Sequence, residues 1–388
     1  MDETAAPPSP RGRLLPASVV VAAFLVALLA LLAASWWRDR RFGEGFDIVR
    51  WERETVAGRW LFLAGAPLRN DPPEDEALRR YFALSPSDPE ALRLENRVER
   101  IIEGRIDSTL AGLGIHVGPP LPGTVFPFVD IELASSPRVL VESPRARIER
   151  VRADLLRPDL GGARAAEIEA RAERERPDRR AIVVPSGGVA TYPAIVSDQG
   201  GYVGALETAA HEWVHHYLTF YPLGRSYFIR RESEAINETV ADLIGEEIAA
   251  SVLARWGDPT EAAPPPASAT PAVTTAGGQA GRDAALRALR LEVDALLAAG
   301  KVEEAEARME RVRLDFVAQG MPVRVLNQAF FAWYGTYAAR PDSVDPLGGQ
   351  LREIRARSGD LPGFVREVRG VASRADVEAL LARMRAGG

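Results

Sequence analysis

Residues 211–215 read His211-Glu212-Trp213-Val214-His215, and residues 237–242 read Asn237-Glu238-Thr239-Val240-Ala241-Asp242. The chain has 388 residues and only four histidines, and three of these, His211, His215 and His216, fall within six consecutive positions. Side chains four apart on a helix project from one face, so imidazoles at 211 and 215 can grip a single ion while Glu212 stands beside it. Ala209, Ala210, Val214 and Leu218 supply the apolar face that would bury such a helix, which is expected from about Val203 to Phe220. A second helix is expected from about Ile229 to Arg255, returned antiparallel by a turn at Tyr221 to Arg225.

That return places Glu238, 23 positions after His215, as the third metal ligand. Asp242, one turn further, shares its face, so Asp242 and Asn237 are expected to hold the ligands from behind. Glu234, one turn before Glu238, is the rival third ligand. Three protein ligands leave the open position that a catalytic zinc ion (Zn2+) needs for water. Zinc lowers the pKa of that water towards about 7, and Glu212 is placed to take its proton and pass it to a leaving nitrogen.

The compound pattern, HEWVH followed by NETVAD, resembles the gluzincin metallopeptidases, the group that includes thermolysin, over about Val189 to Ala250. The resemblance implies zinc on His211, His215 and Glu238, Glu212 as base, and Asp242 as the hydrogen-bond partner of His211. It also implies an upstream edge strand that holds a peptide substrate, for which Val189 to Val196 is the candidate, and a Tyr or His that stabilises the oxyanion. No histidine follows His216, so Tyr334 or Tyr337, in the aromatic stretch Asn327 to Tyr337, is the candidate. The Gly-x-Met-Glu-Asn exopeptidase motif of one gluzincin branch is absent, and the metzincin extension would need a glycine at Leu218 and a histidine at Tyr221. The ExxAD reading of Glu238 to Asp242 is weaker, because the membrane-embedded peptidases that carry it place it much further from HExxH.

Outward from this centre the chain reads as helix-rich α+β. Helices are expected over Phe46 to Gly65, Pro89 to Leu113 and Ala165 to Arg176, and strands over Thr124 to Leu133 and Arg138 to Glu142. Ala181 to Pro185 and Val189 to Val196 suggest a strand pair around Ser186-Gly187-Gly188. Leu286 to Leu296 and Ala305 to Phe316 suggest a helix hairpin turning at Gly300, with a third helix over Val323 to Ala339. The expected division is a disordered tail (1–13), a transmembrane anchor (14–37), a metallopeptidase domain (42–258), a flexible linker (259–281) and a helical region over the cleft (282–388).

The anchor is expected because Leu14 to Trp37 carries no charge and Val19 to Ala34 is apolar without a break, while about 20 apolar residues span a bilayer core. Trp36 and Trp37 followed by Arg38, Arg40 and Arg41 suit a membrane interface better than a signal-peptide cleavage site. A single-pass protein of a bacterial cell membrane is the expectation. The arginines after the span lean the catalytic domain towards the cytoplasm, but large domains are exported despite such charges, so the side stays open.

Composition narrows the chemistry further. The chain lacks cysteine, which excludes disulfides, thiolate ligands and a cysteine nucleophile. A net charge of −6 argues against nucleic acid as a partner. Only Lys301 is lysine among 48 basic residues, which reads as codon bias. The partners expected are a peptide or protein substrate and the membrane. The alternatives are a catalytically inactive membrane-anchored scaffold that keeps the fold, which intact Glu212 and Glu238 argue against, and a recruiting module in Gly281 to Gly388. His216 is expected to pack or to support the ligands, and His116 to have no role.

Overall fold

The computed structural model describes residues 43–52, 55, 72–115, 123–261 and 276–387. The tail and anchor expected at 1–37, most of the helix expected over Phe46 to Gly65, and His116 lie outside them. Among the described residues no helix is long and apolar enough to cross a membrane. The architecture is α+β and helix-rich, with two small sheets.

Helices α1 (Glu74–Ala83) and α2 (Pro89–Gly112) form an N-terminal pair. Pro89 opens α2, and Asp88 caps it by accepting from the Glu90 amide at 2.7 Å. Strands β1 (Ile131–Leu133), β2 (Arg138–Pro144) and β3 (Arg152–Leu156) follow, then α3 (Gly162–Glu175), then β4 (Arg179–Pro185), β5 (Gly188–Val189) and β6 (Ala194–Val196). Two helices carry the central motif: α4 (Gly201–Leu218) and α6 (Arg231–Trp256), joined through the short α5 (Pro222–Ser226). The rest is helical: α7 (Ala276–Ala298), α8 (Val302–Ala318), α9 (Gln328–Tyr334), α10 (Leu347–Arg357), α11 (Leu361–Val368) and α12 (Arg374–Ala386).

The larger sheet is antiparallel in the order β3-β2-β4. Its side chains alternate as a pleat requires. Val139, Val141, Ile182 and Val184 face α7, α8 and α9, while Leu140, Ala181 and Val183 face α3. Glu306 of α8 ties the end of β2 to the start of β4 by accepting from Arg145 and Arg180, each at 2.8 Å. The smaller sheet has the order β1-β6-β5, with β1 parallel and β5 antiparallel to β6. It packs with α1, α2, α4, α6 and α10 to α12 in the largest core.

Several expectations need correction. Ala181–Pro185 and Val189–Val196 are not a strand pair: β4 pairs with β2, and the second stretch is split into β5 and β6. Pro193 has no amide to donate, and Thr191 Oγ1 satisfies the Pro193 carbonyl at 2.8 Å instead. The strand expected over Thr124 to Leu133 shrinks to β1, because Pro127 interrupts it. Arg152–Leu156, passed over in the sequence, is a strand. The helix expected over Val323 to Ala339 contracts to α9, where the Asn327 side chain caps the start by accepting from the Phe330 amide at 3.0 Å. The linker expected to reach 281 gives way to α7 from Ala276.

The apolar cores do not follow the linear order of the expected peptidase domain (42–258) and C-terminal helical region (282–388). Leu347, Leu351, Phe364, Val368, Val377 and Leu380 belong to the same core as α4 and α6. The larger sheet with α3 and α7 to α9 makes the other lobe.

Candidate metal centre

The geometry of α4 and α6 is set by one face of each. Ala205, Leu206, Ala209, Ala210, Trp213, Val214 and Leu218 of α4 are buried, as are Ile236, Val240, Ala241, Ile244 and Ile248 of α6. The helices run antiparallel, with His211 facing Asp242 and His215 facing Asn237. They approach closely at Gly245, where an added Cβ would lie 3.0 Å from the His211 amide nitrogen.

Three donor atoms converge at this contact. His211 Nε2 and His215 Nε2 are 2.9 Å apart, and Glu238 Oε2 lies 3.4 Å from the first and 3.6 Å from the second. Donors on a tetrahedral ion with bonds of about 2.0–2.1 Å stand about 3.3 Å apart, so this set fits one four-coordinate divalent cation and leaves a fourth position. The ring tautomers fit as well. His211 Nδ1–H donates to Asp242 Oδ1 at 3.0 Å and His215 Nδ1–H donates to Asn237 Oδ1 at 2.7 Å, which turns both Nε2 lone pairs to the centre.

The electrostatics are those of a buried, paired cluster. Burial disfavours a charged ring at His211, yet Asp242 and Glu238 outweigh it and raise its pKa well above the ordinary value. Burial alone would raise the Glu238 pKa, but His215 and His211 hold it well below the usual carboxylate range. Glu212, only 5 % exposed, is pushed upward, first by burial. Its Oε1 faces β5 at Gly188, where any Cβ would collide with the carboxylate, Thr208 and the Ile195 carbonyl. Glycine there lets an edge strand lie directly against the acid.

The centre opens into a cleft of about 1380 Å³ between the two lobes. Gly188, Val189 and Ala190 form one wall, and β3 with the α5–α6 loop forms part of another. The edge-strand candidate therefore does border the cleft, as the two-residue β5 rather than as Val189 to Val196.

The other candidates separate clearly. Glu234, the rival ligand, pairs with Arg150 instead. His216 donates from Nε2 to the Thr191 carbonyl at 2.7 Å and stands edge-on to Tyr192, which pins the β5–β6 connection. Tyr337 is half-buried; desolvation raises its pKa first, and then Glu238, Asp242 and Glu212, the carboxylates of the centre. Tyr334 lines the same cleft but neighbours Arg340 and Phe330, and its charged surroundings are Arg340, Arg282 and Asp342. Tyr227 was missed by the sequence reading. Its hydroxyl donates to Glu238 Oε1 at 2.7 Å and its ring stands 6.1 Å from that of His215. A hydroxyl-bearing aromatic just before the ligand helix was the available signal.

No family model, curated protein or solved structure matches the chain.

Proposed function

We propose that the chain is a zinc-dependent peptidase of gluzincin type. The observation that carries this reading is the convergence of His211 Nε2, His215 Nε2 and Glu238 Oε2 beside the buried Glu212, at the floor of a cleft bordered by an edge strand. His211, His215 and Glu238 would hold the ion. When bound, zinc supplies Lewis acidity, which activates water near neutral pH and polarises a carbonyl.

The chain's own residues do the remainder. Asp242 and Asn237 fix the two imidazoles in the ligating tautomer. Tyr227 occupies Glu238 Oε1, which leaves Oε2 to the centre. Glu212, with its proton affinity raised by burial, accepts a proton at its carboxylate and returns it to the departing amine. β5 offers backbone groups for a peptide strand passing Glu212. Tyr337, which lines the cleft and has the carboxylates of the centre among its surroundings, is the tyrosine we assign as donor to the oxyanion that forms as the amide is attacked. The anchor expected at 14–37 would tether this activity to a membrane.

The test is Glu212→Gln. The variant should bind one zinc per chain as the parent does, while hydrolysis of an unfolded polypeptide falls by about 10²–10⁴-fold, the range for loss of a general base. Equal cleavage by both forms would remove Glu212 from the mechanism. Tight zinc binding with no turnover in the parent would favour a scaffold that keeps the centre.

A further inference from the structure

Among the described residues, the two most exposed large apolar side chains are neighbours, Phe228 at 93 % and Ile229 at 79 %. They sit in the loop between α5 and α6, and Arg225 and Arg230, both exposed, flank them. Phe220 on the other side of α5 is also exposed at 53 %, and its ring lies tilted against that of exposed Phe126, 5.3 Å between centroids. Scattered exposed apolar side chains are ordinary. A consecutive Phe-Ile pair held in water between two arginines is the arrangement of an interfacial anchor, with apolar groups to enter the headgroup layer and guanidiniums to meet lipid phosphates.

The path of the chain indicates which partner arrives there. Gly45 bridges to Leu156, and the Phe46 amide donates to the Leu155 carbonyl at 3.1 Å, so the described N-terminal residues enter along the free edge of β3. Arg152, Ala153 and Leu155 of β3 line the same cleft as Phe228 and Ile229. Only five residues separate Trp37, the end of the uncharged stretch, from Gly43, which makes six steps along the chain. Fully extended, they reach at most about 20 Å. If Leu14 to Trp37 lies in a bilayer, the edge of β3 is held within about that reach of it, and Phe228 lies on the cleft that β3 lines.

We propose that the 227–230 loop docks on the surface of the membrane that anchors the chain. Phe228 and Ile229 enter the headgroup region, and Arg225 and Arg230 pair with anionic phosphates. This inference rests on the membrane-anchor reading, and it deepens the peptidase reading by placing the cleft mouth at the lipid surface.

The chain has no cysteine, so the full-length Phe228→Cys variant can carry one polarity-sensitive fluorophore at the loop. Reconstituted in nanodiscs of phosphatidylcholine and phosphatidylglycerol, the label should show blue-shifted emission and should be quenched by lipids brominated near the headgroup. Adding Arg225→Glu and Arg230→Glu should abolish most of that quenching. A label at Leu291→Cys, exposed on α7 outside the cleft, should stay in water. A label at 228 that remains water-exposed in discs that have incorporated the chain overturns the docking and leaves the anchor standing. A label that responds to a soluble unfolded polypeptide but not to lipid overturns it in favour of a substrate-binding lip. A chain that stays soluble and enters no disc removes the anchor reading and the docking together, whereas the Glu212→Gln result is untouched by any of these outcomes.

Discussion

Glu238 has two carboxylate oxygens and three partners, and the division between them is made by Tyr227. Oε1 accepts the tyrosine hydroxyl at 2.7 Å, and Oε2 turns to the two imidazoles. Tyr227→Phe keeps the ring and deletes that restraint. Zinc affinity should fall by about 10–100-fold, the usual effect of losing an outer partner of a ligand. Competition with a chelator reads this directly, and an unchanged affinity would show that packing alone orients Glu238. The two downstream tyrosines should part company in kinetics. Tyr337→Phe should lower kcat by about 10²-fold with zinc retained, as removal of an oxyanion donor does, while Tyr334→Phe should leave kcat unchanged. Equal losses at both would return the assignment to the aromatic stretch as a whole. At this scale the convergence of His211, His215 and Glu238 was legible because helical spacing puts His211 over His215 and Glu238 one turn from Asp242, and the turn at Tyr221 to Arg225 brings the second helix back. Tyr227 was not legible, because its role depends on how a short helix, α5, redirects the chain between α4 and α6. The pairing of Arg150 with Glu234 was equally unreadable, since the two lie on different lobes.

At the scale of elements the long helices were readable and the strand pairing was not. Apolar residues recur at helical spacing along α2, α4, α6 and α8, and each was expected within three residues of where it lies, whereas α7 begins ten residues before Leu286 and α9 is far shorter than the expected Val323 to Ala339. The strands are short, and their pairing is non-local. β2 takes both of its partners from later in the chain, β3 next to it and β4 beyond α3, and β5 and β6 are cut apart before Pro193. The contact that builds the centre is the α4–α6 crossing, and Gly245 sets its distance. A Cβ there would already be 3.2 Å from the His211 Cα, tighter than ordinary contact. Gly245→Val would add two further methyl groups at a point where both neighbours are helix backbone, so the helices must separate. The expected outcome is a helical content near that of the parent together with a large loss of zinc affinity, seen by circular dichroism and metal titration on the same sample. Full zinc affinity in Gly245→Val would show that the ligand spacing is set elsewhere.

The molecule as a whole is interleaved, and this decides how it can be cut. β1 belongs to the lobe of α4 and α6, the segment from β2 to β4 belongs to the other, β5 through α6 return to the first, α7 to α9 go back to the second, and α10 to α12 finish in the first. No linear boundary found in composition could reveal this, because α6 and α7, which stand on either side of the proline-rich stretch in the sequence, are buried in different cores. The last three helices are tied to the metal helices by more than apolar contact. Arg369 donates to the Tyr217 hydroxyl at 2.8 Å, Ser233 Oγ donates to the Ala372 carbonyl at 2.7 Å, and Arg355 pairs with Glu247 at 2.6 Å. Eleven apolar residues from Leu347 to Leu381 are buried in the shared core. Burial of each large apolar side chain contributes about 1.5–3 kcal/mol, and the net stability of a folded domain is only about 5–15 kcal/mol. A chain that stops after Asp342 therefore should not fold. It should show no cooperative thermal transition and no stoichiometric zinc, although every ligand, Glu212 and both downstream tyrosines are still present. If that shortened chain melted cooperatively and bound one zinc, α10 to α12 would be an attachment to a self-sufficient peptidase fold, and the shared core would contribute little to holding the metal helices together.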